Sequence, residues 1–99
     1  MAIRRMDREG AEAMAIAALG FLAEDEERVH RFLGITGLSP ASLRGAAADP
    51  RFLVSVLDHL LGDEALLLTF AASIDVAPTA VLAARAALGD GDYGSTGAA

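Results

Sequence analysis

A chain of 99 residues and 10.2 kDa has room for one domain, and the lack of cysteine excludes a disulfide scaffold, a thiolate metal site and a cysteine nucleophile. Apolar residues make up 54% of the chain and the mean hydropathy is +0.41, which excludes disorder over the whole length. Fourteen acidic against eight basic residues leave a formal charge of −6 and a pI near 4.6, which opposes nonspecific attraction to nucleic acid or an anionic membrane.

Near the N-terminus, Arg4, Arg5 and Arg8 precede an apolar stretch from Ala13 to Ala23. Asp7, Glu9 and Glu12 interrupt the approach, and four consecutive acids, Glu24 to Glu27, stand where a small-residue cleavage site belongs, so no signal peptide is expected. No stretch reaches the roughly 18–20 consecutive apolar residues of a membrane span. A soluble protein in the cytosol is the expectation.

Composition favours helix, because 22 Ala and 14 Leu accompany few aromatic or β-branched residues. A first helix is expected from Asp7 to Ala23, with Met14, Ile16, Leu19, Phe21 and Leu22 wrapping it so that it is largely buried. Asp25 suits the N-cap of a second helix, Glu26 and Glu27 suit its dipole, and Val29, Phe32 and Leu33 supply its apolar face before Gly34–Gly37 stops it. In Leu38-Ser39-Pro40-Ala41-Ser42-Leu43, Ser39 fits N-cap, Pro40 fits N1, and Leu38 can pack on Leu43 as a hydrophobic staple. A third helix from Pro40 to Ala48 follows. Asp49-Pro50 repeats the device and opens a fourth helix, whose Phe52, Leu53, Val54, Val56, Leu57, Leu60 and Leu61 make it the central one. Gly62 ends that helix and Asp63 caps a fifth, supplied by Leu66, Leu67, Leu68, Phe70 and Ile74. A sixth runs from Pro78 to Gly89. The domain is expected over 1–89, with 90–99 as a disordered, acidic and glycine-rich tail in which only Tyr93 could anchor anything.

Sliding the chain by 38 residues pairs Leu19 with Leu57, Leu22 with Leu60, Asp25 with Asp63, Glu26 with Glu64, Phe32 with Phe70 and Pro40 with Pro78. Ala46 pairs with Ala84 and Ala48 with Ala86, and similar residues add Met14 with Phe52, Ile16 with Val54, Leu38 with Val76 and Leu43 with Val81. Each half then reads as helix, acidic cap, helix, turn and proline-started helix. A duplication and two independently arisen helix–turn–helix runs both fit this pattern. The position equivalent to Ser39 is Ala77, which has no side-chain acceptor for a first-turn N–H.

The Ala-rich first helix running into FLAED, then RFLGITGLSPASLR, then a DP-started apolar helix ending LLGDEALLLTFA, resembles the small bacterial proteins of domain of unknown function 3572. The resemblance covers 12–89 and is most specific at Phe21–Asp25, Arg31–Pro40 and Leu60–Phe70; Ala77 departs from it, since the family favours a polar cap there. It implies a short all-helical cytoplasmic protein without an assigned activity and adds no catalytic residue.

Candidate chemistry is thin. Glu26 and His30 lie four residues apart on one helical face, and Asp58, His59, Asp63 and Glu64 surround the end of the fourth helix. Carboxylates and imidazoles hold a metal or transfer protons only where they converge, and spacing cannot show convergence. HExxH, GxSxG and a phosphate-binding loop are absent, and the chain contains no lysine. Gly89-Asp90-Gly91-Asp92 lacks the remaining ligands of a calcium loop. Ser39, Ser42, Ser55 and Ser73 read as caps and helix-surface residues. The Thr36-Gly37 turn resembles that of helix-turn-helix proteins, yet the helix after it offers only Arg44 to phosphates.

The expectation is therefore an all-α, compact bundle of five to six short helices, built as two tandem three-helix halves if the repeat is real. Its expected role is a protein-interaction or structural module without catalysis, cofactor or metal, acting on a protein partner or as a homo-oligomer and not on nucleic acid or membrane. If Leu66, Leu67 and Leu68 together cover most of a turn and Phe52 and Val56 share a face outside the core, they make an apolar groove or dimer patch; the alternative is a fifth helix packed inside the bundle, with no patch. A small enzyme or metal-binding protein using His30 or His59 with nearby carboxylates is the alternative, and a nucleic-acid binder the third reading, disfavoured by the acidic pI.

Overall fold

The computed structural model describes residues 6–89, which form six α-helices and one 3-10 turn and contain no strand. The helices are α1 (Arg8–Ala23), α2 (Glu26–Thr36), α3 (Leu43–Ala46), α4 (Pro50–Leu61), α5 (Glu64–Ser73) and α6 (Pro78–Leu88), and the 3-10 turn Pro40–Ser42 leads into α3. The expected tail 90–99, with Tyr93, lies outside the described residues, as do Arg4 and Arg5.

Aspartates start four of these helices. Asp7 accepts from Gly10 N–H, Asp25 from Glu27 and Arg28 N–H, Asp49 from Arg51 N–H and Asp63 from Leu66 N–H. Each removes one or two unpaired first-turn donors and places a negative charge at the positive end of the helix dipole. At the other end of α2, Gly37 takes the left-handed backbone conformation, φ 78°, that closes a helix at little steric cost.

Burial follows the expectation for α4, where Phe52, Leu53, Val54, Val56, Leu57 and Leu60 are all in the core. It corrects the expectation for α1. The inward stripe is Ala11, Ala15, Ala18 and Leu22, at helical spacing, with Phe21 beside them, while Met14 and Leu19 are half-buried and Ile16 is 52% exposed. Small side chains on that stripe let α1 lie close against α6 and α4, the two helices it packs on most. On helix α5, Phe70 and Ala71 point inward, Leu66 and Leu67 flank them, and Leu68 is exposed. Ile74 lies just past the helix and is exposed.

The third expected helix, Pro40 to Ala48, is corrected to a 3-10 turn and a single α-turn ending at Ala46. Ser39 occupies the N-cap position but makes no capping bond; its hydroxyl pairs instead with the Ser42 hydroxyl at 3.0 Å. The segment has no fully buried residue, and Pro50 disfavours helical backbone at Asp49 just beyond it. Leu38, Leu43 and Ala46 pack on the core from its edge.

The 38-residue repeat has a spatial counterpart. Asp25 and Asp63 bond equivalent amides, of Arg28 and Leu66. Gly37 and Asp75 occupy the same repeat position and both have positive φ, 78° and 59°. Phe21 packs on Phe70 with ring centroids 5.3 Å apart, and the repeat-related pair, His59 on Phe32, lies at 5.1 Å. Each half thus lends a ring from its first helix to the phenylalanine of the other half's second helix. The halves diverge most at the third element, one α-turn in the first and an eleven-residue helix in the second, and α1 also starts four residues earlier than its counterpart α4.

Ala77 is the uncapped start of α6: its backbone is extended, as an N-cap requires, and no side chain accepts from the first turn. Replacing Ala77 with Asp is expected to raise stability by about 0.5–1.5 kcal/mol. In urea unfolding the midpoint then moves up with an unchanged m-value.

No single helix among the described residues is long and apolar enough to cross a membrane. Helices α5 and α6 reach the required length and composition only together, as a pair bent by 99°, and Phe70, Ala71, Val81, Ala84 and Leu88 of that pair are buried in the bundle.

Candidate functional site

The titratable candidates do not converge. Glu26 and His30 are both exposed on α2. Around the end of α4, Asp58 turns to Arg85 on α6, with Nε to Oδ1 at 2.6 Å. Asp63 spends one carboxylate oxygen on the Leu66 N–H and holds Arg31 with the other at 3.8 Å, and Glu64 is exposed. Among the described residues, no group of three His, Cys, Asp or Glu side chains is placed to hold a metal ion.

His59 is the one candidate with a distinctive environment. Its ring is half-buried against Phe32. Burial lowers its pKa below the ordinary imidazole value, partly offset by the Asp63 carboxylate and reinforced by Arg31. The folded protein therefore favours the neutral ring, and between the lowered value and 6.5 the unfolded chain binds more protons. Stability is then full above that window and falls as the pH drops through it. His59→Phe, which places in the second half the ring that Phe21 provides in the first, is expected to keep the contact with Phe32 and flatten this dependence. Urea midpoints at about pH 7.5 and 5.5 read it, with the wild type losing more than the variant.

The serines make local bonds. Ser55 Oγ donates to Phe52 O and Ser73 Oγ to Phe70 O, while Thr36 Oγ1 donates to Phe32 O beside the turn that resembled a helix-turn-helix. The element after that turn is too short for a recognition helix.

The expected apolar patches are corrected as well. Phe52 and Val56 are core residues, 8% and 0% exposed, and Leu66 and Leu67 pack on the bundle, leaving Leu68 alone outside. An open groove of about 400 Å³ lies instead between α1 and the 40–47 segment, lined by Ile16, Leu19, Gly20, Pro40, Leu43 and Arg44 among others. Its walls are apolar except for Arg44, which is exposed and has no ion-pair partner among the described residues. The sequence carried a signal for this groove in the repeat: Gly20 and Ala47 stand where the second half has Asp58 and Arg85, and the third helix is cut short by Asp49-Pro50.

These features define an all-α bundle that carries, among the described residues, an open apolar groove with one cation at its rim. The chain belongs to the family described as Protein of unknown function (DUF3572), whose pattern it matches over residues 8–91. Neither a curated protein nor a solved structure matches it.

Proposed function

We propose that the protein is a non-catalytic interaction module of the cytosol, and that the groove between α1 and the 40–47 segment is its contact surface. One observation carries this reading: Ile16, left 52% exposed on a helix whose opposite face is fully buried, is continuous with Leu43 and Pro40 in one concavity. Scattered apolar side chains are ordinary on a protein surface, whereas an open apolar groove is one of the recurring forms in which a partner's segment is bound. Catalysis from His30 or His59 has weaker support, because the first is exposed and the carboxylates near the second are engaged by Arg85, Arg31 and a helix cap. Nucleic-acid binding has only Arg44 to draw on at the turn.

A photo-crosslinking residue at position 16, with position 79 on exposed α6 surface as control, tests the reading in lysate of the native host. Discrete adducts with a partner identified by mass spectrometry, formed from position 16 and not from 79, support it. Equal labelling from both positions, or none from 16, overturns it.

A further inference from the structure

We propose that the occupant of this groove is an amphipathic helix of a partner protein that presents a carboxylate to Arg44. The inference rests on the interaction reading and names the chemistry of its partner.

The internal repeat supplies the argument. In the second half, α6 packs on α4, and the positions equivalent to Ile16 and Leu43 are Val54 and Val81, both buried in the core. The rim of that interface is clamped by Asp58 on α4 and Arg85 on α6. In the first half the same face of α1 is left open, because the third element makes only one α-turn and lies off it. The clamp is missing too, since Gly20 replaces the aspartate and Ala47 the arginine. A cation nevertheless remains on the third-element side, as Arg44, one turn before the position of the lost arginine. The uncovered surface therefore matches a helix in shape, by the precedent of α6, and lacks a carboxylate, by the precedent of Asp58. Gly20 has open space where a side chain would stand, so another backbone can approach α1 closely there. A second copy of this chain is the weaker occupant, because two molecules of charge −6 repel each other.

A displayed library of helical peptides, selected on the folded protein and counter-selected on Ile16→Glu, tests this. Ile16 is exposed, so the substitution leaves the core untouched. The expected result is enrichment of an apolar stripe at helical spacing with one Asp or Glu beside it. A selected peptide should shift the methyl signals of Ile16 and Leu43, and its Glu→Gln twin should bind about two- to fivefold more weakly at low salt. Arg44→Glu should reverse the enrichment to Lys or Arg. An acidic preference that persists on Arg44→Glu, enrichment without acid, or no enrichment overturns the proposal. So does sedimentation of the wild type as a dimer that Ile16→Glu dissociates, which would seat a second copy in the groove. Adducts from position 16 without acidic enrichment sink this occupant and leave the interaction reading standing; absence of both sinks the two together.

Discussion

Phe70→Ala is expected to cost about 3–5 kcal/mol, as truncation of a fully enclosed aromatic ring does. Phe70 is 0% exposed and its ring meets Phe21 at 5.3 Å, so the substitution removes both the buried area of one ring and the packing partner of another. Phe21 is further capped by the Arg28 guanidinium, 4.2 Å from its ring centre, so the disturbance reaches the first turn of α2. Domains of this size hold only about 5–15 kcal/mol in total, so the variant should sit near the edge of folding at room temperature. The repeat-related Phe32→Ala should fall in the same range, since Phe32 is equally enclosed and packs on Phe52 and His59. Leu68→Ala, on the exposed side of the same helix, should change stability by less than about 1 kcal/mol. Urea or thermal unfolding of the three variants checks the order, and equal losses at positions 68 and 70 would contradict the orientation of α5.

Ala15→Leu should destabilise by about 1–3 kcal/mol through overpacking. Ala15 is fully buried on the stripe by which α1 lies against α4 and α6, and a leucine there adds three carbons to that contact. Accommodation requires α1 to move outward, away from the core that Leu22, Val56 and Leu88 share with it. Ala17→Leu, two residues on and exposed, should be near neutral. A lowered melting temperature for the first variant and an unchanged one for the second distinguishes a close helix contact from a loosely packed alanine-rich surface.

Helix starts were legible because their signals are local. Asp25, Asp49 and Asp63 each stand beside the amides they accept from, and no distant residue is needed to read that role. The buried run of α4 was legible for a related reason: a helix apolar nearly all round has no stable place except the centre. Helix α1 misled in the opposite direction. Its large residues suggested burial on all sides, whereas the buried stripe is made of alanines, whose small size matters only once a second helix lies against them. The third element misled because Pro40 and Ser39 make a good helix start whatever follows, while how little of the segment is buried depends on the helices it meets.

Four of the fourteen acidic residues behind the low pI, Asp7, Asp25, Asp49 and Asp63, cap helix starts, so part of the negative charge has a folding role. Sequence by itself determined the class of the fold and the central helix, which rest on residues close together in the chain, and disclosed the 38-residue pattern, which needs only a comparison of the chain with itself. Tertiary structure alone decided which face of α1 points outward, which carboxylates pair with arginines across helices, and that the repeat closes an interface in one half and leaves it open in the other. Those outcomes depend on contacts between residues far apart in the chain, from Asp58 and Arg85 to the packing of α1 on α6, where packing and not propensity sets the energy.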